Sequence, residues 1–128
     1  DNLGTTKDEM VALLIDAYDF GKIVVGGKTY TSDVLVFPDR VLDHWWRVEG
    51  HNLSAEDLEE VLRAEKRPEV LVVGTGHSGV MRVSSEVEEV LRSVNVELLV
   101  QPTAKACKTF NELLRSGRKV AAALHLTC

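Results

Sequence analysis

Apolar residues come in short dense runs in the first third of the chain and at helical spacing through the rest. Met10–Ala17 (MVALLIDA) predicts a strand that Tyr18–Gly21 breaks. Lys22–Val25 predicts a second strand. Gly26-Gly27 is a two-residue turn of the kind that accepts positive φ, so Lys22–Thr31 predicts a β-hairpin. Ser32-Asp33 interrupts the chain before an apolar run at Val34–Phe37, which Pro38-Asp39 closes. Arg40–Val48 (RVLDHWWRV) fits neither period and reads as extended. Adjacent Trp45 and Trp46 on a strand point to opposite faces, so one is expected in the core and the other at a rim. Gly50–Asn52 reads as a loop.

From Leu53 the period becomes helical. Ser54 and Asp57 fit a capping box, and Leu53 with Leu58 fits a hydrophobic staple. Leu58, Val61 and Leu62 form one apolar stripe, with an end near Ala64 and Pro68 blocking continuation. Val70–Val73 is a continuous apolar run, which suits a strand covered on both faces. Ser84 or Ser85 caps the next helix, with Glu86 and Glu88 favoured at its positive end. Val87, Val90, Leu91 and Val94 make its stripe, and Asn95 suits a left-handed end. Val96–Val100 predicts another buried strand. Gln101-Pro102 turns the chain, Thr103 is expected to cap a third helix with the stripe Ala106, Phe110, Leu113 and Leu114, and Gly117 ends it. Lys119–Leu126 predicts the last strand. Alternating helices and strands imply an α/β domain with parallel C-terminal strands and helices on both faces. Right-handed crossovers then place Val70–Val73 between the other two strands. The β-rich first third is expected to extend this sheet or pack beside it.

At 128 residues the chain is expected to form one domain over residues 10–128, with residues 1–9 as a disordered polar tail. Fifteen basic against twenty acidic residues give a net charge of −5, which argues against nucleic acid as a partner. The two cysteines, Cys107 and Cys128, suggest no disulfide framework, so a reducing, cytoplasmic setting is expected. No run reaches the roughly 18 apolar residues of a membrane span, and no signal-peptide pattern is visible.

The stretch Val70–Gly79 (VLVVGTGHSG) matches the G-x-G-x-x-G spacing of a dinucleotide-binding turn. That turn needs a helix opening at the third glycine and an acid ending the next strand. Here Val80–Val83 intervenes and the next strand ends in Val100-Gln101, so no nucleotide cofactor is expected. The stretch itself holds no G-K-[ST] for a P-loop, and Gly27-Lys28-Thr29 has Lys22 where a P-loop needs its first glycine. An anion or small-ligand cleft is the reading that survives, because N–H groups in such turns point outward. Parallel strands end on one side of the sheet. That edge is expected to gather Gly74, Thr75, Gly76, His77, Ser78 and Gly79 with Thr103, Cys107, His125 and Cys128. Cys107 lies about one turn into its helix, where a thiol can be acidified, although its apolar neighbours favour a buried structural role. The histidines show no metal-binding spacing such as H-E-x-x-H. A set of His51, His125 and Cys128 is the one zinc-like combination, and two ligands three apart on a strand end face opposite sides. Asp16, Asp19 and the Glu56–Glu60 run read as solvated.

Phe20-Gly21, Gly27-Lys28-Thr29-Tyr30, Val72-Val73-Gly74-Thr75-Gly76 and Gly79 also carry a resemblance. So do Pro102-Thr103, Ala106, Asn111, Gly117-Arg118 and Val120-Ala121-Ala122. In order and spacing they resemble a small domain-of-unknown-function family of archaea and bacteria. Its eukaryotic branches are the adipogenesis-associated domain-containing protein and mitochondrial complex I assembly factor 3. The ending His125-Leu126-Thr127-Cys128 is similar to the archaeal and adipogenesis-associated branch. The resemblance implies a three-layer α/β fold around a mixed central sheet, with no established catalytic activity or cofactor. The assembly-factor branch binds proteins in mitochondria, a role the differing ending does not carry over. The resulting expectation is a non-catalytic module that binds a protein or a small anionic ligand at the glycine turn. Asn111 and Arg118 would serve as supporting polar groups. The alternative is an enzyme using Cys107 as nucleophile or the His51, His125 and Cys128 set. A third reading makes the surface an oligomer contact anchored by Trp45 or Trp46.

Overall fold

The computed structural model describes residues 13–128; the expected tail over residues 1–9 and the first residues of the run Met10–Ala17 lie outside them. The described chain opens with β1 (Ile15–Asp19), β2 (Lys22–Val25) and β3 (Lys28–Tyr30), which form an antiparallel three-stranded sheet. Gly26 and Gly27 turn between β2 and β3 at φ of 57° and 82°, as the hairpin requires. β1 runs on through Tyr18 and Asp19, past the expected break, because both pair with β2 (Tyr18 with Ile23, Asp19 with Lys22).

A five-stranded mixed sheet carries the rest, in the order β5 (Val41–Leu42), β4 (Val34–Val36), β10 (Val120–His125), β7 (Val70–Thr75), β9 (Glu97–Gln101). β10, β7 and β9 are parallel, with β7 between the other two as the crossover argument requires. β4 and β5 extend the sheet antiparallel beyond β10. A short parallel pair, β6 (Asn52–Leu53) with β8 (Arg82–Val83), forms where a loop and a connector are expected.

Alternation along β7 builds the two cores. Val70 and Val72 face one way and pack with Ala106 and Phe110 of the helix Thr103–Arg115, and β1 and β2 add Ile15, Ile23 and Val25. Leu71 and Val73 face the other way and pack with Val87 and Leu91 of the helix Ser85–Ser93. The layers are therefore helix, sheet and helix, with the small sheet sharing one outer layer. Before them, a 3-10 turn at Ala55–Leu58 runs into α1 (Glu59–Leu62); α2 is Ser85–Ser93 and α3 is Thr103–Arg115. The expected capping box is present: Asp57 accepts from the Ser54 N–H at 2.9 Å and from its hydroxyl at 3.0 Å. Asn95 takes the left-handed conformation at φ 62°.

Four local expectations need correction. β7 does not stop at Val73, since Gly74 and Thr75 stay paired with Leu124 and His125, and the turn begins at Gly76. β9 is an edge strand, not one buried on both faces, and Val100 is 46% exposed. Thr103 does not cap α3; Pro102 precedes the helix, and the Thr103 hydroxyl is used elsewhere. Trp45 is buried and Trp46 exposed as expected of the pair, but both lie beyond β5 on irregular chain. Among the described residues no helix is long and apolar enough to cross a membrane.

Candidate functional site

One edge of the five-stranded sheet collects most of the polar chemistry, and pairing explains why. β7 and β10 finish side by side at Thr75 and His125. β4 runs antiparallel to β10, so its leading residue Asp33 arrives at the same edge. β5 runs back along β4, and the chain after it returns Trp45–Val48 there; the Trp45 N–H donates to the Asp33 carbonyl at 3.0 Å. The β1–β2 turn adds Phe20, whose ring meets the His77 ring edge-on at 5.4 Å.

Thr103 is the pin of this edge. Its fully buried hydroxyl accepts from the Gly76 N–H at 2.8 Å and donates to the His125 carbonyl at 2.6 Å. It thereby ties the ends of β7, β10 and α3 together. The tail then closes over Gly76. A Cβ at that position would lie 2.5 Å from the Cys128 backbone, and φ there is +110°, so both space and conformation demand glycine.

Beside the pin lies a buried ionic cluster. His125 Nδ1 donates to Asp33 Oδ2 at 2.8 Å, and Arg47 Nη2 donates to the same oxygen at 2.8 Å. The other carboxylate oxygen accepts the Leu126 N–H at 2.7 Å. Burial alone would raise the Asp33 carboxyl. The hydrogen bonds from His125, the Leu126 N–H and Arg47 outweigh it and hold the group below its ordinary value. The Arg47 guanidinium stacks over Trp45 at 4.8 Å, while Arg47 Nη1 and His125 Nε2 are buried without a partner. On the other side of the tail, the Tyr18 hydroxyl donates to the Leu126 carbonyl at 3.0 Å and stands 3.2 Å from His77 Nδ1. Burial pushes the Tyr18 phenol up to about 12, helped by the fields of Cys107, Asp19 and Asp33, so it remains a donor.

The expected site residues divide. Gly74 and Thr75 are buried in β7, where Gly74 lets Thr103 and Leu124 approach. Gly76, His77, Ser78, Gly79, Thr103, His125 and Cys128 do lie at this edge. Most of the outward-pointing donors expected of the turn are not free, however. The N–H groups of Gly76, His77, Gly79 and Thr103 donate to Thr103 Oγ1 and to the carbonyls of Thr127, Gly76 and Gly76. Cys107 is buried and its thiol is pushed to about 12 by burial, which leaves no thiolate at neutral pH. Asn111 sits a turn further along α3, where its amide holds the Ile15 N–H and carbonyl of β1, each at 2.8 Å. Arg118 is at the opposite edge, paired with Glu69 at 3.1 Å and Glu97 at 3.8 Å. The His51 and His125 rings stand 5.9 Å apart. Among the described residues no three His, Cys, Asp or Glu side chains are grouped to hold a metal ion. Two cavities of about 590 and 650 Å³ lie away from the turn, one along β9 and one beside Phe37 and Lys119.

Asp33, Arg47, Tyr18 and Phe20 are absent from the sequence-based set. Each reaches the edge through antiparallel pairing that hydrophobic periodicity does not encode. The Ser32-Asp33 break before a strand is the one local hint.

The family model described as protein of unknown function (DUF498/DUF598) matches residues 15–125. The NADH dehydrogenase [ubiquinone] 1 alpha subcomplex assembly factor 3 of Homo sapiens is 33% identical over 119 residues, 92% of this chain and 63% of its own length. This chain thus spans less than two thirds of that relative. The protein of the same name from Danio rerio is 34% identical over 119 residues, covering 92% and 67%. A conserved hypothetical protein from Pyrococcus horikoshii OT3 superposes with a TM-score of 0.76 at 27% identity, covering 89% of this chain and 98% of that one.

Proposed function

The chain belongs to the DUF498/DUF598 family, and from that premise we propose that it is a non-catalytic protein-binding module. The observation that carries this reading is the placement of exposed apolar side chains. Phe20, Trp46, Val48 and Val80 are 50–73% exposed on irregular chain beside the edge where β7 and β10 end: Phe20 lies against His77, Trp46 and Val48 flank Arg47 on Asp33, and Val80 follows Gly79 of the turn. Large apolar side chains gathered on one rim mark interaction surfaces. The buried Thr103 and Asp33 networks hold that rim in place. Four N–H groups of the turn and the α3 start, those of Gly76, His77, Gly79 and Thr103, are spent within the chain, and Cys107 carries no thiolate. Both facts favour a protein partner over an anion or a thiol reaction. The first partner to test is an NADH dehydrogenase subunit or assembly intermediate, because the relatives' name assigns them to that assembly.

Photo-crosslinking tests the reading. A benzophenone side chain at position 20 or 80 is expected to capture one such subunit or assembly partner in cells. The same group at Glu65, on the opposite edge, captures none. Equal labelling from all three positions, or none, overturns the proposal.

A further inference from the structure

A different surface carries the next step. β9 is the outer strand of the five-stranded sheet, paired on one side only. The Glu97 N–H donates inward to the Glu69 carbonyl at 2.8 Å. Alternation along a strand then turns the N–H and C=O groups of Leu98 and Val100 outward. Such an edge is a template for another strand, and proteins usually blunt it with lysine, proline or a bulge. β9 reads ELLVQ and has none of these. Its one charge, Glu97, is drawn to Arg118. Beside the edge runs an open groove of about 590 Å³, walled by Glu88 and Arg92 of α2 and by Leu98 and Val100.

We propose that a second copy of this chain occupies that edge. β9 pairs antiparallel with its counterpart about a two-fold axis at Leu99, making one continuous sheet through both copies. The register follows from the outward groups. Leu98 faces Val100 of the second copy, exchanging two hydrogen bonds, and the two-fold repeats the exchange. The half-exposed Val100 is then covered by a leucine. On the other face Glu97 meets Gln101 of the second copy and Leu99 meets itself, so no like charges are opposed. The same axis sets the α2 helices antiparallel, placing Glu88 against Arg92 of the second copy. Neither residue has an ion-pair partner among the described residues. A self-complementary charge pattern of this kind favours a second copy over a strand from another protein.

Sedimentation equilibrium over a wide concentration range tests the pairing. The wild-type chain is expected at twice the monomer mass. Val100→Lys, at a half-exposed site that leaves folding intact, is expected to be monomeric with an unchanged circular dichroism spectrum. Glu88→Arg weakens the dimer at least about tenfold by opposing like charges, and adding Arg92→Glu restores it. Leu99→Cys, in a Cys128→Ser background, is expected to oxidise to a covalent dimer. A wild-type monomer at every concentration overturns the proposal. So does a dimer indifferent to Val100→Lys and to the charge reversal, or one whose β9 edge is filled by a foreign strand.

Discussion

Asp33 does the most with the fewest atoms. One carboxylate neutralises Arg47, orients the His125 ring and anchors the tail through the Leu126 N–H. Its folded-state pKa is depressed, so its stabilisation is present above the ordinary value of 3.8 and is lost as pH falls through the lower folded value. Asp33→Ala is expected to cost about 3–5 kcal/mol at neutral pH, since it strands a buried guanidinium. In urea titrations that gap should narrow only below the ordinary carboxyl range; a gap constant with pH would show that the charge is not what matters. The cysteines separate as cleanly. With Cys107 buried and its thiol near 12, Ellman's reagent should label one thiol, Cys128, in the folded chain and both after unfolding. Rapid labelling of two thiols in the native state would reopen the nucleophile reading.

Elements meet at Thr103 and Gly76. Thr103→Val keeps the shape but leaves the Gly76 N–H and the His125 carbonyl buried and unpaired, an expected loss of about 2–4 kcal/mol. Gly76→Ala acts differently, because its Cβ would collide with the Cys128 backbone and force the tail away. Amide exchange at His77, whose N–H donates to Thr127, should accelerate in that variant while β7 stays protected. Uniform acceleration through β7 would instead mean global destabilisation. These elements were legible in the sequence to different depths. Residues such as Val87, Leu91 and Phe110 announce their helices because a period of 3.6 survives any tertiary arrangement. The parallel order with β7 between β9 and β10 follows from crossover handedness once the helices cover both faces. The role of Thr103 was not legible. A threonine before a helical stripe reads locally as a cap, and only the approach of β7 and β10 gives its hydroxyl better partners. The Asp33 cluster was hidden for the same reason, since His125 lies 92 residues from Asp33 and only the antiparallel β4–β10 pairing joins them.

At the scale of the whole molecule, the two ends of the main sheet's strands differ in character. One end carries the exposed apolar loops and the ionic cluster; the other carries Arg118 with its glutamates. Arg118 therefore contributes to the base of the sheet, and Arg118→Ala is expected to leave partner crosslinking from position 20 unchanged. Loss of crosslinking with the fold intact would extend the binding face around the molecule.

β10 lies at the centre of the main sheet yet follows every other described strand in sequence. During synthesis, then, the strands on either side of it are made first and wait. Until β10 emerges, β4 and β7 both present open edges, and neither core has its middle. Unpaired strand edges are the aggregation-prone feature of a nascent chain, and here one late, alanine-rich segment closes both.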